Sequence, residues 1–174
     1  DHLQELYDTT RTDRERILVV DDSDEIRLML GVILQKQGYD VTTVETAQEG
    51  IDILAKESFD IMILDLVLPD IDGRNFLIKL REDHRTANLP VLVLSAKSSP
   101  QIKAECFALG ADDYFEKPLD PALLTTRVAV TLQRSRTLEK QTRYDHLTNL
   151  PNRAAFSENY ESQSKLSFRE DSPL

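Results

Sequence analysis

The stretch Ile61-Met-Ile-Leu-Asp-Leu-Val-Leu-Pro-Asp-Ile-Asp-Gly73 decides the fold. It opens with four continuous apolar residues that end on an acid, and beyond it Phe76, Leu77 and Leu80 share one face of a helix. A strand that is apolar without alternation is buried on both faces, as in a parallel sheet covered by helices. The same unit recurs on either side. Residues 17–20, 41–44 and 91–94, and more weakly 113–115, read as four further strands. Between them Ile26, Leu30, Ile33 and Leu34 share a helical face, as do Ala47, Ile51 and Leu54, and Ile102, Cys106 and Leu109. Ser23 suits an N-cap, with Asp24 and Glu25 favourable near the positive end of the helix that follows. Gly38 and Gly110 stand where helices should stop. Right-handed crossovers would wind five such βα units into a three-layer α/β domain over residues 14–122, preceded by a polar segment over 1–13.

The composition agrees and excludes some functions. With 40% hydrophobic and 30% charged residues in 174, the balance is globular rather than disordered. A net charge of -10 argues against nucleic-acid binding by this segment, because phosphate contacts need clustered Lys and Arg. The first sixteen residues hold no apolar signal core, and the longest apolar runs are far too short to span a membrane. Cys106 is alone, so it forms no intrachain disulfide; its apolar stripe predicts a buried thiol, and a reducing cytoplasmic setting suits it. His2, His84 and His146 share no ligand spacing. The chain begins at Asp1 without a Met, as a piece of a longer protein would.

Past Asp120 the pattern changes. Pro121 can open a helix, and no strand signal follows up to Tyr144. Leu124, Val128, Thr131, Ser135, Leu138 and Thr142 follow a heptad-like spacing with three polar members. Two readings stand: a last helix packed on the sheet whose end frays into solvent, or a linker stalk over 123–144 that pairs with a second copy. The tail after Asn159 is rich in Ser, Glu and Lys and is expected to be poorly ordered.

In an open parallel sheet, ligands bind outside the carboxyl ends of the strands. Asp21 and Asp22 follow the first strand, Asp65 the third, Ser95 and Ala96 the fourth, and Lys117 and Pro118 the fifth. Three converging carboxylates would repel one another, and Mg²⁺, which favours oxygen ligands, would relieve them. Asp65 could then be a metal ligand only, or also a nucleophile that takes a phosphoryl group as an acyl phosphate. In the second case Lys117 and the metal would neutralise the developing charge, and Ser95 could donate to a phosphoryl oxygen. Taken singly, each of these residues also suits an ordinary turn, cap or solvated loop; it is their joint placement at separate strand ends that points to a site.

Residues 17–22 (Ile-Leu-Val-Val-Asp-Asp), residues 64–73, Ser95-Ala96 and Lys117-Pro118 together resemble the receiver domain of two-component response regulators. The spacing from Asp65 to Ser95 and to Lys117 is similar to that family's. The resemblance implies a flavodoxin-like sheet of order 2-1-3-4-5, with Asp65 as phosphoacceptor for a histidine kinase or histidine phosphotransfer protein. It implies Asp22, Asp65 and the Val67 backbone carbonyl as Mg²⁺ ligands, with Asp21 acting through a water. It further implies that Lys117 binds the phosphoryl group, with the Lys117-Pro118 peptide a candidate for cis. Ser95 would move towards the phosphoryl group on activation, and Tyr114 would rotate inward behind it. The face near residues 98–120 would report the change and support homodimerisation.

A second resemblance covers less. Asp145-His-Leu-Thr-Asn-Leu-Pro-Asn-Arg153, followed by Phe156, is similar to the opening of a diguanylate cyclase (GGDEF) domain. It implies a truncated start of such a domain over 145–174, without the residues that would make it a cyclase. Two other functions fit the residues less well. A haloacid-dehalogenase-like phosphatase would need an acid two residues after its nucleophile, where Val67 stands. A flavodoxin-like cofactor binder would need a phosphate-cradling loop where Asp21 and Asp22 would repel the ligand, which leaves a phosphate-independent docking module as the remaining alternative.

Overall fold

Backbone pairing extends each apolar run by about a residue. The computed structural model describes residues 14–97 and 99–143, and in it the strands are β1 (Arg16–Val20), β2 (Asp40–Val44), β3 (Ile61–Asp65), β4 (Val91–Ser95) and β5 (Asp113–Glu116). All pair in parallel, in the order β2-β1-β3-β4-β5. The helices are α1 (Asp24–Lys36), α2 (Ala47–Leu54), α3 (Gly73–Glu82), α4 (Pro100–Ala108) and α5 (Pro121–Arg143). This is the flavodoxin-like α/β fold expected from the sequence. The readings of residues 1–13 and 145–174, including the Asp145–Arg153 string, lie outside the described residues.

The central strands alternate between two cores. Leu18, Val20, Met62, Leu64, Val91 and Val93 pack with Phe76, Leu77, Leu80 and Cys106 on one face. Ile17, Val19, Ile61, Ile63, Leu92 and Leu94 pack with Leu30 and Leu34 of α1 and Leu124, Val128 and Leu132 of α5 on the other. Each fully buried aliphatic side chain contributes roughly 1.5–3 kcal/mol relative to exposure. Cys106 is buried, as its stripe predicted, and burial pushes its thiol pKa up. Among the described residues no helix is long and apolar enough to cross a membrane.

Local chemistry sets the boundaries. Ser23 Oγ accepts from the Ile26 amide at 3.3 Å and starts α1. Asp120 caps α5 through the Ala122 amide at 2.9 Å. Gly38 and Gly110 follow their helices at φ 94° and 96°, a left-handed region that an L side chain rarely adopts.

Two expectations shift. β2 reads as fully buried, yet none of its residues is, because it lies at the sheet edge with β1 as its one neighbour. The division at 122/123 falls inside the continuous helix α5, and the compact unit holding the sheet closes at Leu132. Leu124 and Val128, the first two seam positions, face the sheet and are joined there by Leu132 rather than Thr131. Leu138 is 63% exposed.

Candidate functional site

β3 delivers Asp65 as its last residue, paired in register with Leu94. It is only 3% exposed. Its Oδ1 accepts from the Val67 amide at 3.0 Å and its Oδ2 from Lys117 Nζ at 2.7 Å, so both carboxylate oxygens are oriented. Asp21 leaves β1 fully buried, with its amide donating to the Val44 carbonyl at 3.2 Å. Its Oδ1 accepts from the Ser23 amide at 2.9 Å, and its Oδ2 accepts from Lys117 Nζ at 2.8 Å. One ammonium therefore ties two carboxylates from different strands. The Lys117 amide donates to the Ser95 carbonyl at 2.8 Å, and the Lys117-Pro118 peptide is cis.

Charge follows from this geometry. Burial raises the Asp65 pKa above the ordinary carboxylate range; the Asp21 charge adds to the rise, and the bonds from Lys117 and Val67 oppose it. Burial would lower the Lys117 pKa, but its bonds to Asp21 and Asp65 outweigh that and raise it. Asp22 is exposed beside them. Carboxylate oxygens of Asp21, Asp22 and Asp65 lie within 4.8 Å of one another, the one such cluster among the described residues. Three carboxylates against one ammonium leave a surplus of two negative charges, made entirely of hard oxygen donors. That donor set and that charge fit a divalent cation such as Mg²⁺.

The remaining residues form the rim. Ser95 ends β4 fully buried, its Oγ accepting from the Lys97 amide at 3.0 Å. Ala96 is exposed. Tyr114 is 6% exposed and its hydroxyl donates to the Lys97 carbonyl at 2.6 Å. Its ring is thus already inward, the arrangement that the resemblance assigns to the activated state. Val67 is 50% exposed, and its side chain carries no group that could donate a proton.

Sequence reasoning missed two supports. Arg27 Nη1 donates to the Asp21 carbonyl at 2.6 Å and its other arm pairs with Asp24; the spacing of three from Asp24 was the available signal. Lys97 was also missed. Its amide and carbonyl hold Ser95 and Tyr114, and backbone roles of this kind leave no mark in a side-chain pattern.

A five-stranded parallel sheet with an acidic crevice and a lysine at its strand ends defines the class: an α/β domain built for phosphate or metal chemistry at its carboxyl edge. The response regulator receiver domain profile matches residues 17–129, and the chain belongs to that family. It is 38% identical over 137 residues to the regulatory protein VanRc of Enterococcus gallinarum, covering 79% of this chain and 55% of that one. It is 35% identical over 134 residues to RpaA of Synechocystis sp., described as a DNA-binding dual master transcriptional regulator, covering 77% and 56%. The chain spans about half the length of these curated relatives. The crystal structure of the chemotaxis protein CheY4 of Vibrio cholerae superposes with a TM-score of 0.65 at 32% identity, covering 68% of this chain and 98% of that one. Receiver domains are regulatory phosphoacceptors rather than catalytic domains, and in general they take phosphate from histidine kinases or phosphotransfer proteins.

Proposed function

We propose that Asp65 accepts a phosphoryl group from a phosphohistidine of a histidine kinase or histidine phosphotransfer protein. The observation that carries this reading is the Lys117 ammonium held at 2.7 Å from a buried, doubly oriented Asp65 beside two further carboxylates. An Asp65 oxygen attacks phosphorus in line; the O–P bond forms, the N–P bond breaks, and the imidazole nitrogen leaves with the electron pair and takes up a proton. Asp65 must be ionised to attack; burial opposes this, and Lys117 together with a bound cation would favour the charged form. Lys117 follows the negative charge from the carboxylate to the phosphoryl oxygens. Asp22, Asp65 and the Val67 carbonyl would hold Mg²⁺ directly and Asp21 through a water; when bound, the ion neutralises charge on the phosphoryl oxygens. Intact mass after incubation with Mg²⁺ and acetyl phosphate tests this. One added phosphoryl group, lost when EDTA replaces Mg²⁺, is the expected result; no addition would overturn the reading.

The acyl phosphate then favours the arrangement in which Ser95 meets a phosphoryl oxygen and Tyr114 stays inward, altering the face near residues 98–120. That face and α5 would join two copies and control an output beyond the receiver. The Asp145–Arg153 string supports a diguanylate cyclase as the output, whereas RpaA is by its name a DNA-binding regulator. A Gly-Gly-Asp/Glu-Glu-Phe loop further along the gene would support the cyclase, and a DNA-binding module in its place would oppose it.

Val67 bears on the lifetime of the phosphorylated form. An apolar side chain cannot align an attacking water, so Val67→Asn is expected to shorten the acyl-phosphate half-life roughly three- to tenfold. A half-life unchanged or lengthened in a quenched time course would contradict this.

A further inference from the structure

The loop between β3 and α3 carries the Val67 carbonyl, and a backbone ligand has no side-chain freedom with which to correct its position. Its placement depends on how the loop is held. Two ties are internal: the Gly73 amide donates to the Leu66 carbonyl at 2.9 Å, and Val67 bridges Asp72. The third reaches another element. The Asp70 carboxylate accepts from the Ala47 amide at 3.1 Å and the Gln48 amide at 2.9 Å, the first two residues of α2.

α2 already has its own cap. Thr46 Oγ1 accepts from the Glu49 amide at 3.1 Å, and the Glu49 carboxylate accepts in turn from the Thr46 amide. Asp70 takes the two outer amides that this box leaves over. Its slight burial would raise its pKa, but amide bonds from Gln48, Ala47, Asp70 itself and Ile71 together outweigh that and lower it, which favours the charged carboxylate against the positive helix end.

We propose that Asp70 is a positioning residue for the phosphorylation site, clamping the loop that carries Val67 to the N-terminus of α2. The proposal rests on the reading of Asp65 as a Mg²⁺-dependent phosphoacceptor. Val67 makes the link physical, because its amide also holds Asp65 Oδ1, so a loop that drifts moves both the carbonyl and the nucleophile's partner.

The test compares Mg²⁺ titrations of the melting temperature in the whole chain for wild type, Asp70→Ala and Thr46→Ala, with acetyl phosphate labelling measured alongside. Asp70→Ala is expected to raise the Mg²⁺ concentration at half-maximal shift about three- to tenfold, less than the roughly 10–100-fold cost of removing a group bonded directly to a metal ligand, because Asp70 acts through the loop. Its labelling slows at low Mg²⁺ and recovers at saturation. Thr46→Ala removes the helix's own cap, so it lowers the metal-free melting temperature but keeps the wild-type Mg²⁺ midpoint. Asp70→Asn, which keeps one acceptor oxygen, falls between Asp70→Ala and wild type, and serves alone if the alanine variant does not fold. A wild-type midpoint in the Asp70 variants, or an equal shift in Thr46→Ala, overturns the proposal. A wild type that shows neither a Mg²⁺ shift nor labelling overturns the phosphoacceptor reading itself.

Discussion

Replacing Gly73 by alanine is expected to cost about 2–4 kcal/mol, although helix propensity alone would favour alanine by roughly 1 kcal/mol. Gly73 opens α3, and a Cβ there would stand 2.6 Å from the Asp65 carbonyl oxygen and 2.6 Å from Leu66 Cα. Both are backbone atoms of the segment that presents the phosphoacceptor, and neither can swing aside. The glycine lets the helix start against the strand end it serves. Gly31, in the middle of α1, provides the contrast, since nothing lies within 4 Å of a Cβ there. Gly31→Ala is expected to stabilise by about 0.5–1 kcal/mol, so the two glycine-to-alanine changes should move a denaturant midpoint in opposite directions. A neutral or stabilising Gly73→Ala would contradict the close approach.

The second large effect is expected from Lys117→Met. Among the described residues the ammonium is the one cation bonded to both Asp21 and Asp65, and removing it leaves two buried carboxylates facing each other. Breaking a fully enclosed arrangement of this kind costs about 3–5 kcal/mol, and about 2–3 kcal/mol is expected here near neutral pH without Mg²⁺ because the Lys117 side chain is 17% exposed. The pH dependence follows from the Asp65 shift. Its folded pKa is already raised by burial, and loss of Lys117 removes an opposing influence. A folded state that holds its proton more tightly than the unfolded chain loses stability as pH rises from the ordinary aspartate range through the folded pKa. Lys117→Met should therefore approach wild-type stability in acid and fall behind on the way to neutrality. Wild type should show a smaller fall over the same range, because its own Asp65 is raised less, and should lose the Lys117 contribution in alkali, as pH rises through that residue's raised pKa. Urea melts across pH check both, and a deficit in Lys117→Met that is constant with pH would show that the loss is of packing and not of charge.

Much of this was legible in the sequence, for reasons particular to each element. β1, β3 and β4 could be read because strands buried on both faces leave no polar position, and four apolar residues ending on Asp21 or Asp65 mark both the strand and its functional end. β2 misled because Val41 and Val44 look like core, while burial depends on which strand lies at the edge, a property of topology. In α5 the heptad spacing chose Thr131 where the sheet takes Leu132, because packing on a sheet follows the 3.6-residue period. Arg81, on α3, carries no sequence signal for its role: it donates to the carbonyls of Thr86, Ala87, Leu89 and Gly110 and closes two turns at the opposite end of the sheet from Asp65. Asp70 carries no signal at all, since its partners are backbone amides 22 and 23 positions away. The direction of Tyr114 was equally unreadable, as a rotamer choice leaves no trace in a pattern of residue types.

Phosphoryl transfer, metal binding and the switch all depend on one carboxylate, so the most direct measurement is the location of the phosphoryl group. The chain is incubated with Mg²⁺ and acetyl phosphate, reduced with borohydride to convert any aspartyl phosphate to homoserine, and digested for peptide mass mapping. Conversion at Asp65 alone, absent from Asp65→Asn and from the sample without Mg²⁺, is the expected result. Conversion at Asp21, Asp22 or another acid, or labelling of Asp65→Asn equal to wild type, would contradict it.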